Sequence, residues 1–236
     1  MFKYVMICAG LFNANAALAQ QLSYTDPASS YMRILLEKSG EGSYQQLGNF
    51  KVVGTSYLYG PKLGGDIYTT KERATNIQLS YNTYNQQVEA YQNNSEKPII
   101  MKLADVDSFR LIAARNSDFK EDLLFVNANK IDASRKFFAQ HVIAGKRFNL
   151  YKAYKSELGY VSTNYVQSEL RQFDLTYEYY YSDSTKPGLK KLKVTPGALK
   201  KEFNEIADIT TYANDEELST NPEYALRKIF AVLNNK

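Results

Sequence analysis

From Val52 to Val194 the chain alternates short apolar, β-branched or aromatic runs with clusters of Gly, Pro, Asn, Asp and Lys. That is the pattern of strands joined by tight turns. Thr55 to Tyr59 and Asp66 to Thr70 flank Gly60-Pro61-Lys62-Leu63-Gly64-Gly65 as a first expected hairpin. Ile77, Leu79 and Tyr81 alternate with Gln78 and Ser80, the two-residue period of a strand with one wet face. Asn82 to Asn85 supply a turn and Val88 to Tyr91 return. Ile99 to Leu103 and Ser108 to Ile112 predict the next hairpin around Ala104 to Asp107, and Leu123 to Val126 add a strand. Phe137 to Ile143 and Phe148 to Tyr154 flank Ala144-Gly145-Lys146-Arg147, where Gly145 is expected to supply the positive φ of a tight turn. The most regular strand puts Phe173, Leu175, Tyr177, Tyr179 and Tyr181 on one face and Asp174, Thr176 and Glu178 on the other. A turn through Lys186-Pro187-Gly188 then leads to Leu189 to Val194.

After Val194 the period changes. Thr195-Pro196 reads as a helix start, with Leu199, Phe203 and Ile206 following at i, i+4 and i+7, so a helix is expected to Asp208. Asn221-Pro222 repeats the signal, and Leu226, Ile229, Phe230 and Leu233 form an apolar stripe. Such short helices are marginal alone and must pack on the sheet or on each other. The expected fold is therefore mainly β with C-terminal α: an antiparallel meander over residues 20–194, forming a sandwich or partly closed barrel, with a packed segment of two short helices at 195–236. Residues 30–37 fit a short helix or a first strand equally well.

The first nineteen residues carry a different pattern. A cationic Lys3, an apolar run from Val5 to Phe12, and Ala17-Leu18-Ala19 in small-x-small form predict a signal peptide cleaved after Ala19. The run is about half the ~20 residues that span a hydrocarbon core. Bulky Ile7 before Cys8 argues against a lipoprotein signal. The expectation is an exported protein, periplasmic, associated with an outer membrane or extracellular, and without a transmembrane segment after processing.

Composition narrows the chemistry. Lys and Arg number 29 against 25 Asp and Glu, a net +4 over 236 residues, too slight to imply nucleic acid as a partner. One Cys and one His remove most zinc sites, disulfide frameworks and Cys–His catalysis. Processing would also remove Cys8, leaving no thiol. His141, in Phe138-Ala139-Gln140-His141-Val142, reads as structural or surface-lying, and no H-E-x-x-H or G-x-S-x-G occurs. Asp105 and Asp107 would share one side of an extended backbone, but the Gly and distal Glu of a calcium loop are missing, so a turn explains them better. Gly60 to Gly65 lacks the Gly-Lys-Ser/Thr of a phosphate loop.

Paired carboxylates for glycoside hydrolysis are the one catalytic class the side chains still permit, with Glu89, Asp174 and Glu178 on strands as the candidates. No catalytic, metal or cofactor-binding residue is assigned. Tyr177, Tyr179 and Tyr181, sharing a face, and Tyr180 opposite them, form the candidate binding surface, since Tyr joins an apolar body to a polar tip. Core packing is the stronger reading for the shared face, which leaves Tyr180 as the expected exposed residue. Lys186, Lys190, Lys191, Lys193, Lys200 and Lys201 read as a solvated face guarding strand edges.

Several stretches carry a resemblance. Gly54-Thr55-Ser56-Tyr57-Leu58-Tyr59, Gly65-Asp66-Ile67-Tyr68, Gln78-Leu79-Ser80-Tyr81-Asn82-Thr83-Tyr84, Val106-Asp107-Ser108-Phe109-Arg110-Leu111, Val142-Ile143-Ala144-Gly145-Lys146 and Leu192-Lys193-Val194-Thr195-Pro196-Gly197-Ala198-Leu199 resemble a group of uncharacterised exported Bacteroidetes proteins. The resemblance implies an exported, β-rich envelope protein and carries no catalytic residue across. Asp183-Ser184-Thr185 is similar to the O-glycosylation acceptor of such proteins, with a plain turn as the simpler reading. The functional expectation is a non-enzymatic binding or assembly module with an envelope protein or glycan as partner. A glycan- or lipid-binding domain is the first alternative and a carboxylate-based glycoside hydrolase the second.

Overall fold

The computed structural model describes residues 44–47, 50–92, 97–115, 117–160 and 170–235. The expected signal peptide and residues 30–37 lie outside the described residues. The strands are β1 (Tyr44–Leu47), β2 (Phe50–Val53), β3 (Leu63–Tyr68), β4 (Arg73–Asn82), β5 (Gln87–Tyr91), β6 (Ile99–Met101), β7 (Ser108–Leu111), β8 (Leu123–Asn127), β9 (Phe138–Ile143), β10 (Phe148–Tyr160), β11 (Leu170–Asp183) and β12 (Lys186–Leu192). Three helices follow: α1 (Pro196–Phe203), α2 (Asp215–Thr220) and α3 (Pro222–Asn234). The mainly β fold with C-terminal helices is as the periodicity predicts.

Among the described residues all twelve strands join one sheet in the order β1-β2-β11-β10-β9-β8-β7-β3-β4-β5-β6, with β12 also pairing β11. Every pairing is antiparallel except β2 on β11. The sheet is not closed into a barrel but is sandwich-like, and one ring contact shows how strongly it curls. Tyr81 of β4 and Phe138 of β9 lie 5.9 Å apart between ring centroids, although β3, β7 and β8 separate their strands. In a flat sheet four strand spacings would hold them about 19 Å apart.

Inside the curl lies an aromatic core in which Phe109 and Phe125 stack at 4.7 Å, joined by Tyr81, Phe138, Leu58, Leu79 and Leu111, all buried. A second core lies where the helices cover β9 to β12. Phe148 and Leu150 of β10 and Tyr179 and Tyr181 of β11 meet Leu199 and Phe203 of α1 and Leu226, Ile229, Phe230 and Leu233 of α3 there. On the reverse face Tyr151, Ala153 and Tyr180 are covered by Ala128, Ile131 and Phe137 from the β8–β9 connection. The β10–β11 ribbon, paired along its whole length from Phe148 to Tyr160, thus has cover on both faces at one end, while towards the other Phe173 and Leu158 pack with Val52 and Tyr57.

Several local expectations are corrected. Thr55 to Tyr59 is no strand: positive φ at Gly54 (81°), Tyr59 (58°), Gly60 (95°) and Lys62 (56°) coils this segment, leaving one isolated bridge from Tyr57 to Asn82. The coil covers the side of β4 expected to be wet, so Ser80 is fully buried and accepts from the Lys62 amide at 2.9 Å. β6 and β7 do not form a hairpin, because β6 extends β5 while β7 lies between β3 and β8. Gly145 does not have a positive φ. It is needed for space, since a Cβ there would lie 2.1 Å from Asn234 Nδ2 and 2.3 Å from the Phe148 carbonyl oxygen. The turn before β12 falls at Ser184-Thr185, with Gly188 inside the strand at φ 94°. α1 stops at Phe203, and α2 is an additional helix whose Asn214 side chain accepts from the Glu217 amide.

Candidate functional site

β11 carries all four candidate tyrosines. Its regular alternation sends Tyr177, Tyr179 and Tyr181 to the helix side and Tyr180 to the other. Of these only Tyr177 is exposed, at 48%; Tyr179, Tyr180 and Tyr181 are 3%, 5% and 6% exposed. Tyr180, expected to be open, is roofed by Phe137 at 5.1 Å between centroids and by the Arg135 guanidinium at 5.3 Å, and its hydroxyl donates to Glu178 at 2.8 Å. Burial, reinforced by that carboxylate, pushes the Tyr180 hydroxyl up to about 12. Tyr181 is wedged against Phe203 and Phe230 with its hydroxyl on Glu202. Three of the four therefore belong to the core; core packing was expected for the whole shared face and holds for Tyr179 and Tyr181, whereas Tyr177 is half exposed.

Around Tyr177 the structure assembles groups that no local motif brought together. β10 aligns Lys152 with Tyr179 and Tyr154 with Tyr177, so the Lys152 ammonium lies over three rings, 4.4 Å from the centroid of Tyr177, 5.2 Å from Tyr154 and 5.7 Å from Tyr179. Such contacts help hold a cation that is largely out of water. The first turn of α3 supplies the counter-charge: Glu223 accepts from Lys152 at 3.1 Å and from Arg227 at 3.1 Å. Arg227 also reaches Glu121 at 3.2 Å. α3 begins where it does because the Asn221 side chain accepts from the Tyr224 amide and Pro222 takes a position that needs no donor.

Lys152, Tyr179, Glu223 and Arg227 line an open cleft of about 380 Å³ between the ribbon and α3, with Tyr177 on one wall and Tyr224, 51% exposed, on the other. A second hollow of about 390 Å³, lined by Leu192, Val194 and Leu218, adjoins it across Tyr177, Tyr179 and Pro222. The Tyr179 hydroxyl is buried with no hydrogen-bond partner, and burial raises its pKa, with the Glu223 charge adding to the effect. Sequence reasoning missed Lys152, Glu223, Tyr224 and Arg227. The only signal for them was the helix start at Asn221-Pro222, and nothing in the sequence says which strand faces it.

The edge of β11 away from β10 is shared by β2 along Leu170–Gln172 and β12 along Tyr179–Asp183. Among the described residues no strand pairs Asp174–Glu178 on that edge. Leu175 stands there half exposed beside Tyr177.

The remaining candidates are accounted for structurally. His141 stacks on Tyr151 at 4.9 Å, with Nε2 3.2 Å from Asn149 Oδ1. Asp107 pairs with Lys130 at 2.8 Å and accepts from Thr70, while Asp105 sits exposed in a turn. Glu89 is buried and accepts from the hydroxyls of Tyr57 at 2.9 Å and Tyr91 at 3.2 Å; burial raises its pKa against the lowering effect of these donors. Glu178 pairs instead with Lys191, which lowers its pKa, and Asp174 accepts from Gln172. The three candidate carboxylates thus have separate partners. Asp183 accepts from the amide and hydroxyl of Thr185 and meets Arg147 at 3.3 Å, which closes the turn. Of the basic group, Lys190 and Lys191 are paired with Glu202 and Glu178.

Among the described residues no group of three His, Cys, Asp or Glu side chains could hold a metal ion. No helix among them is long and apolar enough to cross a membrane. Comparison with protein-family models, with curated proteins and with solved structures gave no match.

Proposed function

We propose that this chain is an exported, non-catalytic binding or assembly module of the cell envelope, and that the exposed Asp174–Glu178 stretch of β11 is its recognition surface. One observation carries the reading. Leu175 and Tyr177 expose apolar side chains on a strand segment, Asp174–Glu178, that has no strand partner on one edge among the described residues. Open edges invite pairing unless they are covered, and a large side chain left half in water beside one marks a contact surface. The carboxylates give the complementary argument. Glycoside hydrolysis needs two of them about 5–9 Å apart across a scissile bond, whereas Glu89 and Glu178 are each committed to their own tyrosine and lysine partners.

Site-specific photo-crosslinking in the native host tests the reading. A photoreactive residue at Leu175 should yield a discrete adduct absent when the same group is placed at Arg115, which is exposed elsewhere. Equal labelling from the two positions, or turnover of a glycan by the purified protein, would contradict it. Export is tested by N-terminal sequencing of the native protein, expected to begin at Gln20.

A further inference from the structure

We infer that the cleft between Tyr177 and Tyr224 is a binding site for a neutral saccharide, a ligand class that deepens the binding-module reading and rests on it. The first argument is the shape of the walls. Two half-exposed tyrosines, one from β11 and one from α3, face a shared opening of about 380 Å³. Each ring has one face engaged by a cation, Lys152 at 4.4 Å from Tyr177 and Lys228 at 4.2 Å from Tyr224. Aromatic faces of this kind pack against the C–H faces of a sugar ring, and they do so without asking for charge.

The second argument is electrostatic. Lys152, Glu223, Arg227 and Glu121 form one chain of ion pairs with two positive and two negative members. A charged ligand would have to break a pair already made, at the cost of leaving its partner poorly compensated. A polyhydroxylated neutral ligand donates to the carboxylates and accepts from the ammonium and guanidinium at the same time, so every existing pair is kept. The third argument is the Tyr179 hydroxyl, nearly fully buried against this cluster and without a partner. Buried polar groups are rarely left so. A ligand hydroxyl seated beside Tyr177 supplies the missing acceptor.

The test uses the full processed chain and neutral hexasaccharides of the cello, malto, manno and chito series, followed by calorimetry and by ligand-observed NMR, with a hexapeptide of mixed sequence as control. At least one series is expected to bind. Tyr177→Ala and Tyr224→Ala alter exposed side chains, so thermal melts should stay near the parent while affinity falls by roughly tenfold or more. Tyr179→Phe should weaken binding by roughly fivefold, the loss of one hydrogen bond. Silence from all four series, or parental affinity in either alanine variant or in Tyr179→Phe, overturns the assignment. Chromatography of the same mixtures separates this from the broader reading: shortened oligosaccharides overturn the non-catalytic reading, while absent binding overturns the cleft alone and leaves the crosslinking result at Leu175 standing.

Discussion

Asn234, the last residue of α3, does more for the fold than its place near the chain end suggests. Its amide oxygen accepts from the Arg147 and Phe148 amides at 3.1 and 2.8 Å, and its nitrogen donates to the Phe148 and Phe230 carbonyls at 2.9 Å. It therefore satisfies the backbone of the β9–β10 turn from outside, where Gly145 leaves the room. Asn234→Ala should cost about 2–3 kcal/mol, since it orphans backbone groups around a well-packed turn. Gly145→Ala should cost about 2 kcal/mol or more by overpacking. Because the added methyl would strike the Asn234 side chain first, chemical denaturation of the double variant should return a coupling energy of about 1 kcal/mol. Additivity would show that the clash with the Phe148 carbonyl dominates. Glu89 poses a different residue-scale question, one of sign. Burial raises its folded pKa above the unfolded value, so its contribution is fully present below the unfolded pKa and is lost as pH rises through the folded one. Glu89→Gln, which stays neutral, should therefore gain stability relative to the parent as pH is raised from about 4 to 8. A melting-temperature difference independent of pH would refute this. Asp132 works in the opposite direction: the Ser134 hydroxyl and the Leu189 and Ser134 amides hold it down to about 2. Its contribution is lost as pH falls from the ordinary carboxylate range through that value.

The elements differ in how far each could be read ahead. α3 was legible as a stripe because Leu226, Ile229, Phe230 and Leu233 recur on one face of a 3.6-residue period, and each is 0–1% exposed. Phe230 sits among Phe148, Tyr181 and Phe203 at centroid distances of 6.5, 6.4 and 5.7 Å. Phe230→Ala should thus destabilise by about 4 kcal/mol, as for other fully buried aromatics, read as a shift in the urea midpoint at constant slope. β11 was legible in its alternation but not in its consequence. A two-residue period says which side chains share a face, never which face will be roofed. Tyr180 was expected to be open because Asp174, Thr176 and Glu178 share its side, yet Phe137 and Arg135 from the β8–β9 connection cover it. Pairing was likewise invisible for β6 and β7, since adjacency in sequence suggested a hairpin that the curl of the sheet does not make. The cleft around Lys152 was missed for the same reason: its residues are separated by as many as 75 positions and meet only when α3 docks beside the ribbon.

At the scale of the whole molecule the C-terminal helices and the sheet share one core. Without residues 195–236 the sheet face bearing Val142, Phe148, Leu150, Tyr179, Tyr181 and Leu192 would lose its cover. The ties are also polar and spread along the chain: Glu223 to Lys152, Arg227 to Glu121, and Asn234 to the Phe148 backbone. A patch of that size and aromatic content is far beyond what a soluble monomer leaves open. A chain ending at Val194 should therefore fail to give a monomeric folded protein, whereas the chain through Lys236 should unfold in a single transition seen alike by tyrosine fluorescence and by far-UV dichroism. The two probes discriminate because aromatic rings fill both cores while, among the described residues, α-helix lies only in α1 to α3. If the dichroism of the helices melted before the aromatic core inside the curl, the helical segment would be a separable cap. The cleft, which needs α3 held against β10, would then open at temperatures where the sheet is still folded.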